Sequence, residues 1–192
     1  MRSGEITKIK AIRVPSRERC YEILKENQVP PHIVKHCEVV TKVAVYLARE
    51  LNKVGENLDL PLVEAGALLH DVTKHISLKT GENHALTAEK LLLELGYPEV
   101  ARIVGQHIFL KPGPPGEPIR EEEVVFYADK RVKHTRIVSL KERFRDLKIR
   151  YGKTVSSLIR IEHMESLCKL LERRLFKKLP FNPAKLEELN NA

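Results

Sequence analysis

The chain has 192 residues, enough for one domain with a sizeable core. Hydrophobic residues make up 42% and charged residues 31%, a balance that excludes a disordered chain, and no run of about 18 apolar residues could span a bilayer. The net charge is +8, and residues 130–180 hold 16 Lys and Arg against 5 Asp and Glu, which favours anionic ligands. Solvated faces of surface helices would explain the same charge.

The cysteines exclude two classes of site. Cys20, Cys37 and Cys168 form no CxxC pair and are odd in number, so neither a disulfide framework nor a thiolate zinc site is indicated. No signal-peptide pattern opens the chain. We therefore expect a cytoplasmic protein without a membrane partner, and no feature of the sequence sets its oligomeric state.

Apolar residues recur at helical spacing along most of the chain, and proline, glycine and capping residues divide the pattern into segments. The predicted helices cover residues 16–27, 32–52, 60–75, 84–95, 98–107 and 120–132, followed by two between 138 and 178. The polar stretch 77–83 and the stretch 109–119, with four prolines and two glycines, are predicted as loops. No strand pattern of any length occurs, so the predicted fold class is all-α.

Six histidine and aspartate side chains fall on the inner side, or at the end, of five predicted helices. They are His36, His70, Asp71, His84, His107 and Asp129. An ionised carboxylate in an apolar core is costly unless it is paired, hydrogen-bonded or bound to metal. Taken singly, each residue is explained as a satisfied core histidine or a helix-end aspartate, but helical proteins also build metal sites from such residues. Imidazole with carboxylate suits iron, manganese, zinc, nickel or cobalt.

The other four histidines lack helical registration with this set and are predicted to be surface residues. They are His32, His75, His134 and His163.

The order and spacing H…HD…H…H…D resembles the HD-domain superfamily of metal-dependent phosphohydrolases. The segment VPPHIVKH resembles the approach to the first histidine, AGALLHDVTK the signature helix, and VVFYADKRV the helix that carries the last aspartate. HDVTK stands where many members, those of the HDIG type, have HD-Ile-Gly-Lys. The resemblance implies an HD-type metal-binding helical domain over residues 16–135, with an N-terminal arm at 1–15. Residues 136–192 would be a C-terminal helical extension packed on the same domain.

By this resemblance, four residues match the positions that hold one metal ion: His36, His70, Asp71 and Asp129. His84 and His107 match the extra histidines of members with two ions. The chain also departs from the family pattern. Thr73 replaces the common glycine, Ile108 stands where some two-metal members have a second histidine, and residues 136–192 match no assigned segment.

The resemblance implies a hydrolase of phosphoric esters or anhydrides that uses one or two divalent ions and acts on a nucleotide or another small phosphorylated metabolite. In this interpretation Asp71 orients the ions and the attacking water, and Lys74 faces the substrate phosphate. A helix-end lysine favoured by the macrodipole is the plainer explanation of Lys74. Lys130 and Arg131 follow Asp129 closely enough to bind phosphate, or they form the solvated face of its helix.

Two alternatives stay open at this stage. A regulatory or nucleic-acid-binding HD-domain protein would use the basic C-terminal helices, and a di-iron oxygenase would use the same fold for redox chemistry. We further expect loop 109–119 to border the active-site mouth, because it follows His107 and precedes the helix that carries Asp129.

Overall fold

The computed structural model describes residues 14–114 and 116–191, so all but the last two residues of the predicted arm 1–15 lie outside the described part. Within it are nine α-helices, two short strands and a 3-10 helix, which confirms the all-α class. The helices are α1 (Arg17–Glu26), α2 (Pro31–Lys53), α3 (Leu60–Leu69), α4 (Lys74–Thr80), α5 (His84–Glu94), α6 (Pro98–Gly105), α7 (Glu121–Lys130), α8 (Leu140–Tyr151) and α9 (Val155–Phe176). The other elements are β1 (Val132–Lys133), β2 (Arg136–Ile137) and the 3-10 helix (Pro183–Asn191). None of the helices in the described ranges is long and apolar enough to cross a bilayer.

Several helices begin at residues that satisfy the free backbone groups of the first turn. The side-chain oxygens of Ser16, Asp59 and Asn83 each accept a hydrogen bond from a backbone N–H in α1, α3 and α5, respectively. Pro31 and Pro98 begin α2 and α6, where the missing N–H leaves no hydrogen bond unmade. These helices therefore start at, or next to, their predicted positions.

The predicted central helix over residues 60–75 is wrong in its second half. α3 ends before residues 70–73, which form a turn, and α4 occupies a stretch predicted in part as a loop. The Thr73 hydroxyl lies 2.9 Å from the carbonyl oxygen of His84 and 2.8 Å from the hydroxyl of Thr87. Ser77, in the stretch predicted as a loop, lies with its hydroxyl 3.3 Å from the same Thr87 hydroxyl. These side chains join the start of α4 to α5, a tertiary contact that the local pattern does not reveal.

A two-stranded antiparallel ribbon follows α7, where no strand was predicted. Val132 pairs with Ile137 and Lys133 pairs with Arg136, so each strand has only two residues. Strands this short show no alternation of apolar and polar residues, so the sequence pattern could not indicate them. His134, in the turn between the strands, has a φ of 56°, which residues other than glycine rarely adopt.

The core lies between α2, α3, α6 and α7, which turn their apolar sides toward one another. α3 is buried along most of its length, in agreement with its nearly all-apolar sequence. α6 approaches α3 at Gly66, where a Cβ atom would lie 2.7 Å from Cγ2 of Ile103. This close approach of the two helices requires glycine, and it sets the position of His107, which follows α6.

The last three helical elements pack against the helices that precede them. α7 contacts both α8 and α9, and the 3-10 helix contacts α2 and β2. The hydroxyl of Tyr127 on α7 donates a hydrogen bond of 2.6 Å to the carboxylate of Glu172 on α9. The C-terminal helices therefore lie beside α7, the helix that carries Asp129.

Candidate metal centre

The structure brings all six candidate ligands together from separate segments of the chain. They are His36 on α2, His70 and Asp71 in the turn after α3, His84 at the start of α5, His107 just after α6, and Asp129 near the end of α7. The imidazole centroids lie 5.0 to 5.4 Å apart along a row from His36 through His70 and His107 to His84. All six residues are buried except His84, which is partly exposed. We refer to them as the cluster.

Three of the imidazoles are oriented by backbone carbonyl groups. Nδ1 of His36 lies 2.7 Å from the carbonyl oxygen of His134. Nδ1 of His70 and Nδ1 of His107 lie 2.8 and 2.7 Å from the carbonyl oxygens three residues earlier. A carbonyl oxygen can only accept a hydrogen bond, so each Nδ1 carries a proton, and Nε2 is the ring nitrogen that faces the cluster and would bind a metal ion in its unprotonated form.

Several atoms of the cluster that could bind metal lack a protein partner. Nε2 of His70, Nε2 of His107 and Oδ1 of Asp71 are buried and have no hydrogen-bond partner within residues 14–114 and 116–191. Native proteins satisfy nearly all of their buried polar atoms, so three unsatisfied atoms in one cluster require an explanation. A divalent cation would satisfy all three, because each of these atoms offers a lone pair.

The ligand atoms divide into two groups that share one carboxylate. His36, His70 and Asp71 form one group and Asp71, His84 and His107 form the other, with the atoms of each group within 4.8 Å of one another. Nitrogen and carboxylate oxygen donors without thiolate suit iron, manganese, zinc, nickel or cobalt. The cluster can therefore hold a divalent ion, and the shared Asp71 allows for two.

Asp129 adjoins the first group without belonging to it. Its Oδ1 lies 3.0 Å from Nε2 of His36 and 3.6 Å from Nε2 of His70. Its Oδ2 accepts a hydrogen bond of 2.5 Å from Nζ of Lys130. Burial raises the pKa of Asp129, but the charge of Lys130 and the nearby imidazoles of His36 and His70 outweigh burial and hold that pKa well below its usual value.

Burial and neighbouring charges also shift the pKa values of other cluster residues. Burial raises the pKa of Asp71, but the charges of Lys74 and His70 outweigh it and hold that pKa well below its usual value. Burial lowers the pKa of His70, but Asp71 above all raises it, and the result is well above the usual value. The pKa of His107 falls to about 4, mainly because the ring is buried. Near neutral pH, Asp71 is therefore ionised and His107 is neutral, the forms that bind metal.

A cavity of about 300 Å³ opens beside the cluster. The cluster residues that line it are Asp71, His84, His107 and Asp129. The rest of its wall includes the apolar side chains of Ile108, Leu147, Ile161 and Met164 and the cationic side chains of Lys74, Lys130, Arg143 and Arg150. We refer to this space as the cluster cavity. A small molecule that combines an anionic group with an apolar part fits such a lining.

Two of the three cations predicted to bind phosphate border the cluster. Nζ of Lys74 lies 2.6 Å from Oδ2 of Asp71, and 28% of the Lys74 side chain is exposed. Nζ of Lys130 donates to Oδ2 of Asp129 at 2.5 Å and to the carbonyl oxygen of His107 at 2.8 Å. The partly exposed Lys74 therefore has room to turn toward a ligand, whereas Lys130 is buried and held by two acceptors.

The third predicted phosphate ligand, Arg131, is a structural residue. It does not line the cluster cavity, and it is 1% exposed. Its guanidinium donates to the carbonyl oxygen of Val138 at 2.7 Å, the hydroxyl of Tyr127 at 2.8 Å and the carbonyl oxygen of Pro183 at 3.1 Å. The prediction that Arg131 binds phosphate is wrong, because its donors join α7 to the segments after β2 and before the C-terminus.

The proline-rich loop 109–119 lies elsewhere than expected. None of its described residues lines the cluster cavity, although Ile108, just before it, does. Arg174 on α9 donates to the carbonyl oxygens of Glu117 and Pro118 at 2.7 and 3.0 Å. The prediction that this loop borders the active-site mouth is therefore wrong, because α9 binds the loop away from the cluster cavity.

The sequence did not identify the cavity-lining residues of the C-terminal helices. They include Arg143, Leu147, Arg150 and Tyr151 on α8 and Ile161 and Met164 on α9. The excess of basic residues over 130–180 was the available signal, but it does not distinguish a cavity wall from a solvated helix face. Of the histidines expected at the surface, His75 is half-buried and the other three are exposed. The backbone carbonyl group of His134 orients the His36 ring, and no sequence pattern indicates this contact.

A match to a known protein family identifies the family of this chain. A model described as HD domain matches residues 33–134, a range that contains all six cluster residues. This chain belongs to the HD-domain family. The resemblance found in the sequence is thereby confirmed, and family membership supports a metal-dependent hydrolase. HD domains bind divalent metals, in agreement with the cluster geometry.

Several known proteins are similar to this HD-domain protein. An uncharacterized protein of Methanocaldococcus jannaschii is 32% identical over 157 residues, which are 75% of this chain and 91% of that protein. Two tRNA (cytidine(56)-2'-O)-methyltransferases, from Picrophilus torridus and Thermoplasma volcanium, are each 30% identical, over 74% and 58% of this chain. The matches span only 42% and 29% of those two enzymes. The crystal structure of a predicted HD superfamily hydrolase from an uncultured Thermotogales bacterium is 18% identical, with a TM-score of 0.48, and covers 86% of this chain and 94% of that one.

Proposed function

We propose that this protein is a metal-dependent phosphohydrolase that acts on a nucleotide or another small phosphorylated molecule. The main support for this proposal is the arrangement of ligand atoms and cations around the cluster cavity. Two groups of three ligand atoms share Asp71, beside a cavity whose wall also holds the cations Lys74, Arg143 and Arg150. Positive charge on several sides of one small cavity favours an anion with the charge of a phosphate group.

The two groups of donor atoms support an assignment of ligands to two ions. We assign one ion to His36, His70 and Asp71, with Asp129 beside them, and a second ion to Asp71, His84 and His107. Divalent ions at these positions would supply Lewis-acid charge to the phosphate oxygens and lower the pKa of a bound water. Either ion would be iron, manganese, zinc, nickel or cobalt.

Hydrolysis forms a bond between a water oxygen and phosphorus and breaks the bond between phosphorus and the ester oxygen. A proton from the water passes to the departing alcohol. The low pKa of Asp71 keeps its carboxylate ionised, so Asp71 can orient the ions and the attacking water through this exchange. Lys74 can turn from Asp71 toward the phosphate and stabilise the negative charge that develops there.

Metal analysis combined with a substrate panel tests the proposal. We expect phosphate release from at least one nucleotide or other phosphate ester, and only when a divalent metal is present. Asp71→Asn should lose both ions and the activity, whereas the double variant His84→Ala, His107→Ala should lose mainly the second ion. His163→Ala, at an exposed position on α9, is the matched control.

Two outcomes of this experiment would contradict the proposal at different points. If the metal-loaded protein releases phosphate from no ester in the panel, it is not a phosphohydrolase of small molecules. If the double variant binds as much metal as the wild type, His84 and His107 are not ligands, and a one-metal enzyme remains.

We infer RNA binding as a second candidate function, on two observations. Two relatives are named as enzymes that methylate tRNA, and residues 130–180 of this chain hold 16 basic against 5 acidic residues. Arg173 on α9 and Lys177, just after its end, line a groove of about 540 Å³ together with residues of the proline-rich loop. A groove bordered by cations is suited to a phosphate backbone.

The salt dependence of tRNA binding tests this second candidate. We expect the affinity to fall steeply with rising salt and to be weakened by the double variant Arg173→Glu, Lys177→Glu. The double variant Lys79→Glu, Lys90→Glu, at exposed positions on α4 and α5, has the same change in total charge and is the control. Equal weakening in the control would show non-specific attraction only. Asp71→Asn should bind tRNA like the wild type, which separates this function from hydrolysis.

A further inference from the structure

Arg143 lines the cluster cavity but takes no part in the metal cluster. It is 6% exposed, and its Nε is buried without a hydrogen-bond partner among the described residues. Its Nη1 faces Oδ2 of Asp146 at 3.4 Å, which is long for a charged hydrogen bond. A guanidinium that is buried and poorly paired is costly, so its position points to a ligand that completes its hydrogen bonds.

Among the described residues, Asp146 is the one carboxylate within ion-pair distance of Arg143 or Arg150. Nε of Arg150 donates to the same Oδ2 of Asp146 at 3.0 Å, so one carboxylate serves two guanidinium groups and one net positive charge remains. By contrast, Lys74 and Lys130 each face a cluster carboxylate, at 2.6 and 2.5 Å. The uncompensated positive charge of this wall therefore lies on α8.

The α8 arginines stand between the cluster cavity and a neighbouring cavity of about 410 Å³. The residues that line both are Lys74, Leu78, Arg143, Arg150 and Tyr151. The hydrogen bonds and ion pairs of Arg143 join it to no cluster residue. Glu82, which also lines the cluster cavity, is exposed and accepts a hydrogen bond of 2.9 Å from the Thr80 hydroxyl. Arg143 is therefore positioned to bind a part of a ligand that lies away from the cluster.

An apolar surface lies next to Arg143 on the cavity wall. Leu147 is four residues after Arg143 on α8, so the two side chains share one helix face. Ile161 and Met164, three residues apart on α9, extend this surface. The cavity thus offers cluster residues, an apolar stretch and an arginine to one ligand. A ligand that uses all three has a phosphate at the cluster, an organic body and a further anionic group.

We propose that Arg143, supported by Arg150, binds a second anionic group of the substrate. The substrate class is then a phosphate ester whose organic part carries another phosphate or a carboxylate. A guanidinium binds either anion with two parallel N–H donors, and the unpartnered Nε of Arg143 is one of the two. This inference rests on the proposed function, because that function places the first phosphate at the cluster.

Substrate pairs that differ only in the second anion test the inference. Adenosine 3′,5′-bisphosphate is compared with adenosine 5′-monophosphate, and 3-phosphoglycerate with glycerol 3-phosphate, on protein loaded with Mn²⁺. For the wild type, we expect a lower KM for the doubly anionic member of one pair. The pair that shows the difference identifies the second group as phosphate or carboxylate. No difference in either pair would overturn the inference.

Variants of Arg143 assign the preference to this residue. Arg143→Gln should raise KM for the preferred doubly anionic substrate about tenfold or more, because a hydrogen bond between charged groups is lost. The KM of its singly anionic partner should rise much less, the bound metal should stay the same, and Arg143→Lys should recover part of the loss. Arg145→Gln, at an exposed position on α8, is the control. An equal loss on both members of the pair would overturn the inference.

Asp146→Asn provides an independent test that keeps Arg143 in place. The substitution removes the shared carboxylate and leaves both arginines to the ligand, so KM for the doubly anionic substrate should fall. An unchanged or higher KM would count against the inference even if Arg143→Gln does not fold.

Direct binding separates this inference from the proposed function. The doubly anionic compounds are titrated calorimetrically into the metal-loaded wild type and Arg143→Gln. If no ester is hydrolysed but binding occurs and weakens in the variant, the hydrolase proposal fails and the second-anion site stands. If esters are hydrolysed without preference for a second anion, the hydrolase stands and the second-anion site fails.

Discussion

Lys74 contacts Asp71, whose carboxylate would bind the first ion in our assignment. Its Nζ lies 2.6 Å from Oδ2 of Asp71, while Nε2 of His70 lies 3.4 Å from the same oxygen. An ion bound by Asp71 would repel the ammonium group. Because the Lys74 side chain is partly exposed and lines the cluster cavity, it can move toward the substrate instead. Lys74 would therefore contact the substrate and would not help to hold the ions.

We therefore expect Lys74→Ala to keep its bound metal and to lose turnover by roughly 100-fold to 1,000-fold, the range for removal of a single group that stabilises transition-state charge. Metal analysis and kcat on the same preparations measure both effects. Lys79→Ala, an exposed lysine of the same helix outside the cavity lining, is the control. Unchanged kinetics in Lys74→Ala would leave Lys74 as a helix-end lysine with no catalytic role.

The sequence allowed the six cluster residues to be proposed because helical spacing shows which side chains face inward. It could not have identified Arg143, because an arginine in a basic helix has the same pattern whether it faces solvent or a cavity. Lys130 and Arg131 are adjacent in sequence, yet only Lys130 lines the cavity, since a helix turns successive side chains to different sides. Contacts between distant segments decide these cases, and a local pattern contains no information about them.

The elements that carry the cluster are positioned by close helix packing. α3 and α6 meet where a Cβ at Gly66 would lie 2.7 Å from Cγ2 of Ile103, and each helix is followed by cluster residues. The sequence predicted both helix starts, because caps and prolines act locally. It did not predict the end of α3, because the turn at residues 70–73 is held by contacts with α5 that are distant in sequence.

Gly66→Ala should destabilise the protein by about 1–3 kcal/mol, because the added methyl group overpacks the contact between α3 and α6. The free energy of urea unfolding measures this loss. Metal affinity at the His84 and His107 group should fall as well, because α6 must shift. Gly113→Ala is the matched control, since a Cβ at Gly113 makes only ordinary contacts, the nearest at 3.4 Å. An equal loss of stability in both variants would rule out overpacking as the cause.

At the scale of the whole molecule, the cluster joins segments that lie far apart in the chain. Its first and last residues, His36 and Asp129, are 93 positions apart, and the ligands between them come from three further segments. Only the folded chain brings these atoms together. An ion bound by the cluster therefore stabilises the folded state relative to the unfolded one. The C-terminal helices add no residue to the two ligand groups, but they line the cavity through which a substrate would reach it.

Addition of a divalent metal should therefore raise the melting temperature of the metal-free protein. At a free metal concentration 100 times the Kd, one site contributes about 2.7 kcal/mol, or roughly 5–10 °C for a chain of this size. Protons compete with the ion for the imidazole nitrogens, and the carboxylates raise the pKa of His70 in the metal-free cluster. The increase should therefore be larger at about pH 8 than at about pH 6.

Calorimetric scans of wild type and Asp71→Asn, with and without metal, measure the increase in melting temperature. Asp71→Asn should show almost no increase, because both groups lose their shared ligand. The same increase in both proteins would place the bound metal somewhere other than the cluster.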